Sequence, residues 1–207
     1  RPRRTVHRRD AIAMTRRLLA VSCAVLAIAS SCGGTREFSG YVRTPAPSSQ
    51  GISLPVIGGE SSRELVASSG NLLAIYFGYT NCPDICPTTL QDLTVALRRL
   101  DDASRVEVAM VTVDPDRDLA VLDGYVKSFI PTAIALGTTD EPELAAAAQP
   151  FGASYLVESV GADIEVAHST SLYVVDDQGT LLLTWPFGVP SSDISADLND
   201  LLDGRRS

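Results

Sequence analysis

Histidine is nearly absent from this chain and cysteine is scarce, with two His and four Cys among 207 residues. His7 and Cys23 fall in an N-terminal stretch that reads as a removed segment, as argued below. Past Cys32 the only cysteines are Cys82 and Cys86, and the only histidine is His168. Any metal site built from soft donors must use those three. Basic charge is also thin. Of 17 Lys and Arg, seven Arg lie in residues 1–31, and of 25 acidic residues only Asp10 does. The remainder therefore carries 10 basic and 24 acidic side chains, a net charge of −14. Such a body repels phosphate backbones, which excludes nucleic acid as a partner and suits a soluble domain or one that attracts a cationic partner. There are no internal repeats. The apolar run from Leu18 to Ala29 is too short for a comfortable membrane span. Hydrophobic residues, in contrast, make up 45% of the chain, so a core can form without disulfide staples.

Around that short run the order of residues is informative. In "MTRRLLAVSCAVLAIASSCGG", residues 14–34, Arg16 and Arg17 precede the apolar stretch, and Ala29, Ser30 and Ser31 lead to Cys32. Positive charge, apolar core and small residues, in that order, make a secretory signal. A Cys directly after the small residues resembles a bacterial lipoprotein signal, with Cys32 lipidated as the new N-terminus, although Ala29 stands where Leu is usual. Residues 1–13, ahead of Met14, read as an over-extended start. The expected organisation is a leader and signal peptide over 1–31, a flexible tether over 32–50 rich in Ser, Gly and Pro, and one domain over 51–207. That domain would work at the extracytoplasmic face of the cell membrane, held there by lipid.

Within the domain, hydrophobic periodicity marks the elements. "LLAIYFGY", residues 72–79, is short, apolar and β-rich, as a buried strand is. Leu90, Leu93, Leu97 and Leu100 then recur at three- and four-residue steps, the stripe of an amphipathic helix, and Pro87 suits its first turn. Strands are predicted over 106–114 and 132–136, and helices over 118–130, 141–152 and 191–204, the last capped by Ser or Asp. A hairpin over 171–185 turns at Asp177, Gln178 and Gly179. This order gives an α/β sandwich with a mixed central sheet and flanking helices. A strand, then thiols at a helix start, then a late hairpin resembles the thioredoxin fold.

The stretch "NCPDICP", residues 81–87, places both thiols in the strand-to-helix loop. Three uses are open: a structural disulfide, a redox pair or a metal site. Helix-start amides favour a thiolate, and Cys86, nearer the helix, is expected to be the more acidic thiol. His168, in "EVAHSTSLYVVD", precedes the late hairpin. In a thioredoxin-like fold that loop lies against the cysteines and usually carries a cis-proline; here no Pro precedes the strand and a His is available. Two thiolates and one imidazole suit Cu(I) in a three-coordinate site, and Cu(II) with an added ligand, whereas structural zinc asks for a fourth protein ligand. No separate arrangement for activating peroxide is visible.

"GYTNCPDICPTTL", "VTVDPDRD" and "HSTSLYVVD" together closely resemble the Sco/SenC family of copper proteins over roughly residues 50–203. Cys82 and Cys86 match its thiol ligands and His168 its histidine ligand. Asn81 departs from the His that many members carry there, but that His is not a ligand. The resemblance implies a thioredoxin-like fold and binding of Cu(I) and Cu(II). It also implies delivery of copper to the CuA site of cytochrome c oxidase, or reduction of its cysteines. The alternative function is an extracytoplasmic thiol–disulfide oxidoreductase in which Cys82 and Cys86 cycle through a disulfide. "DPDRD" matches a family motif as well. Asp114 within it is a candidate support for the metal loop, weighed against turn formation with Asp118 as a helix cap. Asp84 reads as a solvated loop residue.

Overall fold

A computed structural model describes residues 36–161 and 163–205, so His7, Cys23 and Cys32 lie outside the described residues. From Phe38 onward the chain forms one compact unit. Its strands are β1 (Ser53–Pro55), β2 (Ser62–Glu64), β3 (Leu72–Gly78), β4 (Val106–Thr112), β5 (Ile134–Leu136), β6 (Tyr155–Val160), β7 (Asp163–His168), β8 (Leu172–Val175) and β9 (Leu181–Trp185). Its α-helices are α1 (Ile85–Leu97), α2 (Pro115–Asp118), α3 (Leu122–Phe129), α4 (Glu141–Ala148) and α5 (Ser191–Leu202). Among the described residues no helix is long and apolar enough to cross a membrane.

The central sheet runs β5-β4-β3-β8-β9. β3, β4 and β5 are parallel, while β8 runs antiparallel to both β3 and β9, so the sheet is mixed as its sequence order predicts. β3 is buried at every position because both sheet faces are covered. Leu72, Ala74 and Tyr76 point into one core with Leu90 and Leu93 of α1, Val126 of α3 and Leu198 of α5. Leu73, Ile75 and Phe77 point into the other, with Leu144 of α4, Leu54 and Phe151. Alternation along one strand thus assigns Tyr76 to the α1 side of the sheet.

Three expectations change. The helix predicted over 118–130 starts only at Leu122: Asp118 is the last residue of the short α2, and Val121, which precedes α3, is not helical at φ −126°. α5 starts after Pro190, whose carbonyl accepts the Asp193 and Ile194 N–H groups; no Ser or Asp side chain caps it. Residues 155–168, with no element predicted, form the hairpin β6–β7, pairing Tyr155 with His168.

The segment expected as a tether also has structure from Phe38 on. Ser39 N and Gly40 N donate to the buried Asp197 carboxylate, which also accepts from Trp185 Nε1 at 2.8 Å. Tyr41 and Ser48 bridge to Thr184 and Thr180, covering the open edge of β9.

Candidate metal centre

β3 delivers the chain to the site, and its last residue must be small. A Cβ on Gly78 would lie 2.7 Å from Tyr76 Cε1 and 3.1 Å from Cys86 Sγ. Tyr79, Thr80 and Asn81 then lead to Cys82, and Cys86 occupies the first turn of α1. Pro87 follows it where no intrahelical donor is needed. From the opposite side, hairpin β6–β7 ends in His168. One ligand atom from each of Cys82, Cys86 and His168 lies within 4.8 Å of the others, the one such group among the described residues. The sulfurs are not bonded to each other.

Each donor has its own surroundings. His168 Nδ1 lies 2.7 Å from the Ser169 carbonyl, which can only accept, so Nδ1 carries the proton. Nε2 is left with its lone pair, 3.5 Å from Cys86 Sγ. This is how a metal-binding imidazole is usually oriented. Tyr79 and Tyr76 hold the ring edge-on, with centroids 5.5 and 6.1 Å away. Burial lowers the His168 pKa, keeping the ring neutral and able to ligate.

Cys86 is fully buried, and burial pushes its thiol up to about 12, against the hydrogen bonds from Tyr76 O–H and the Tyr79 backbone. The expectation that the helix start acidifies Cys86 therefore fails. The helix-start amide, moreover, serves the other sulfur: Cys86 N–H donates to Cys82 Sγ at 3.3 Å. Tyr76 donates its hydroxyl to Cys86 Sγ at 3.4 Å, and burial raises its pKa so that it stays a donor. Cys82 and His168 line a mainly apolar groove of about 300 Å³ with Tyr79, Pro83, Ile85 and Val166. Cys86 sits behind them.

Two soft sulfurs and one imidazole nitrogen, all reachable by one ion, fit copper by donor chemistry. Asp84 is exposed beside the loop. Asp114 is buried, precedes α2 and is ion-paired with Arg117, and its backbone N–H donates to Thr112 Oγ1. The carboxylate that reaches the cysteine loop belongs to Asp118, which accepts from Thr80. Tyr76 and Asp118 were missed as site residues. The available signals were a hydroxyl inside an otherwise apolar strand, and the last acid of "DPDRD".

A profile of the family described as SCO1/SenC matches residues 60–203. The chain belongs to that family. It is 36% identical to the mitochondrial protein SCO2 homolog of Danio rerio over 118 residues, which are 55% of this chain and 42% of that protein. It spans about half the length of the curated relatives it matches. The solution structure of apo Sco1 from Thermus thermophilus superposes with a TM-score of 0.69 at 29% identity, covering 82% of this chain and 99% of that one. Bradyrhizobium japonicum ScoI, solved with copper bound, gives a TM-score of 0.62 at 27% identity, covering 71% and 94%. These Sco neighbours share the thioredoxin-like fold expected from the order of elements.

Proposed function

We propose that the protein is an exported, lipid-anchored copper carrier. It binds Cu(I) and Cu(II) through Cys82, Cys86 and His168 and passes the ion to the CuA site of cytochrome c oxidase. Convergence of those three donors within 4.8 Å is the observation that carries this reading, and copper bound to a Sco relative of the same fold supports it. Three ligands leave the site open. A thiol or imidazole of the acceptor enters by the groove, meets Cys82 and His168 first, and takes the ion by stepwise ligand exchange. The buried Cys86 is the last protein ligand to let go. Lipid at Cys32 would anchor the carrier at the extracytoplasmic face of the membrane, beside the oxidase. Asp114, through Arg117, would brace the turn beneath the loop.

Metal stoichiometry tests the proposal. Reduced protein should take up one Cu(I), and the Cys82–Cys86 disulfide should exclude it because both sulfurs are then committed. The double variant Cys82→Ser, Cys86→Ser should melt close to wild type yet bind no copper, since a cross-link closing so short a loop adds little entropic stability. His168→Ala should weaken Cu(II), which favours imidazole, more than Cu(I). Full copper binding by the oxidised protein would place the site elsewhere.

One observation favours thiol–disulfide exchange as a second activity of the same pair. Cys82 Sγ opens on the groove and accepts a helix amide, as an attacking thiol does. A disulfide-reductase assay on metal-free protein separates it from carriage.

A further inference from the structure

Asp118 is completely buried, yet no basic side chain of the described residues pairs with it. The neighbouring Arg117 is turned to Asp114 instead. A carboxylate so placed is costly to bury unless donors surround it. Here they do. Thr80 N–H lies 3.0 Å from Oδ2, Thr80 Oγ1–H donates to Oδ1, and Thr112 Oγ1–H donates to Oδ2 at 2.7 Å. Every contact is one in which Asp118 accepts, the role that an ionised carboxylate fills and an amide cannot fill throughout.

The partners belong to two different segments. Thr112 ends β4 and is in register with Gly78 at the end of β3, where Val113 N–H also donates to the Gly78 carbonyl at 2.9 Å. Thr80 stands two residues before Cys82, in the loop between β3 and α1. Cys86 is held by its helix, whereas Cys82 depends on that loop for its place. The Thr80 N–H and hydroxyl hold the loop to the sheet through one side chain.

We propose that Asp118 is a positioning residue for the thiol pair. It fixes Thr80 and thereby sets where Cys82 Sγ stands relative to Cys86 and His168. This rests on the copper-carrier reading as far as the metal is concerned. For the thiols themselves it stands without it.

The test uses Asp118→Asn and Thr80→Val, with Ser49→Ala as a control for general stability, since Ser49 is buried and bonded to Leu65 and Gly179 far along the chain. In metal-free protein the equilibrium with glutathione disulfide is measured. Two thiols lose two electrons and two protons to form the Cys82–Cys86 bond, and the oxidant becomes two glutathione thiols. In copper-loaded protein the Cu(II) affinity and the sulfur-to-copper absorption are measured. Asp118→Asn and Thr80→Val should shift the glutathione equilibrium, move the absorption and weaken copper roughly 10-fold, the usual cost of losing an outer-shell partner. Ser49→Ala should lower the melting temperature alone. If the loop variants also change only the melting temperature, Asp118 is structural and the proposal is wrong. If Asp118→Asn does not fold, Thr80→Val decides by the same criteria. If wild type takes up no copper, the carrier reading fails while the glutathione equilibrium still tests the clamp.

Discussion

Cys86 and His168 titrate in opposite senses, and together they set the pH response of the site. Burial raises Cys86 from an ordinary 9.0 to about 12, so at neutral pH the metal-free protein holds a thiol there. Metal must displace that proton, so apparent affinity should rise with pH. Calorimetric titration with Cu(I) in buffers of different ionisation enthalpy should show net proton release at pH 7. No net release would mean that Cys86 does not ligate as a thiolate. Stability follows by linkage. A raised pKa at Cys86 contributes stability that is fully present below about 9 and lost as pH climbs toward about 12. A lowered pKa at His168 acts on the acid side. There the unfolded chain takes up its proton first, so stability falls as pH drops below the ordinary value of 6.5. The reduced, metal-free domain should therefore melt highest between about pH 7 and 9, and His168→Ala should flatten the acid limb. An unchanged acid limb in that variant would assign the loss to other groups.

At the scale of elements, β3 matters most, because one strand packs the core through Leu73 and Ile75, presents Tyr76 to Cys86 and ends at Gly78. Gly78→Ala needs no unusual backbone angle, yet its methyl would press on Tyr76 and on Cys86 Sγ. Overpacking of this kind costs about 1–3 kcal/mol. Urea unfolding should show that loss, and the Cu(II) absorption should shift because Cys86 is moved. A native spectrum with native stability would mean that the ring and the sulfur yield freely. β3 and α1 were legible, since burial on both faces gives an unbroken apolar run and Leu90, Leu93 and Leu97 mark one helix face. Hairpin β6–β7 was not. Leu156, Val157, Val160 and Ile164 are exposed on it beside Glu158 and Glu165, so no inward-facing set repeats every second residue.

On the scale of the whole molecule, the segment from Phe38 is fastened rather than loose. Asp197 collects Ser39, Gly40 and Trp185, and Arg205 stacks over the Phe38 ring at 4.6 Å. A tether from Cys32 would thus end where the chain reaches Asp197. Cys32→Ala should release the protein from membranes into the soluble fraction, with its copper binding unchanged. A single acyl chain holds only marginally, so the diacyl form is needed for stable anchoring. Membrane retention of the variant, measured by fractionation and blotting, would rule out Cys32 as the anchor.

The sequence by itself determined the mixed α/β architecture and singled out the three candidate donors. Strand runs and helix stripes are local patterns, and past Cys32 no other cysteine or histidine exists to choose. Only the tertiary structure decided how those donors are used. The spacing of Cys82 and Cys86 reads as helix support for Cys86, yet the helix amide points at Cys82 while burial raises Cys86. That reversal depends on which side of the sheet Tyr76 and α1 share. Likewise, Asp114 and Asp118 look alike in "DPDRD". One is bound to Arg117 and the other to the cysteine loop, because the turn of α2 aims only the second at Thr80. Periodicity carries burial along a chain, but hydrogen-bond partners far apart in sequence are set by the packing of elements against one another.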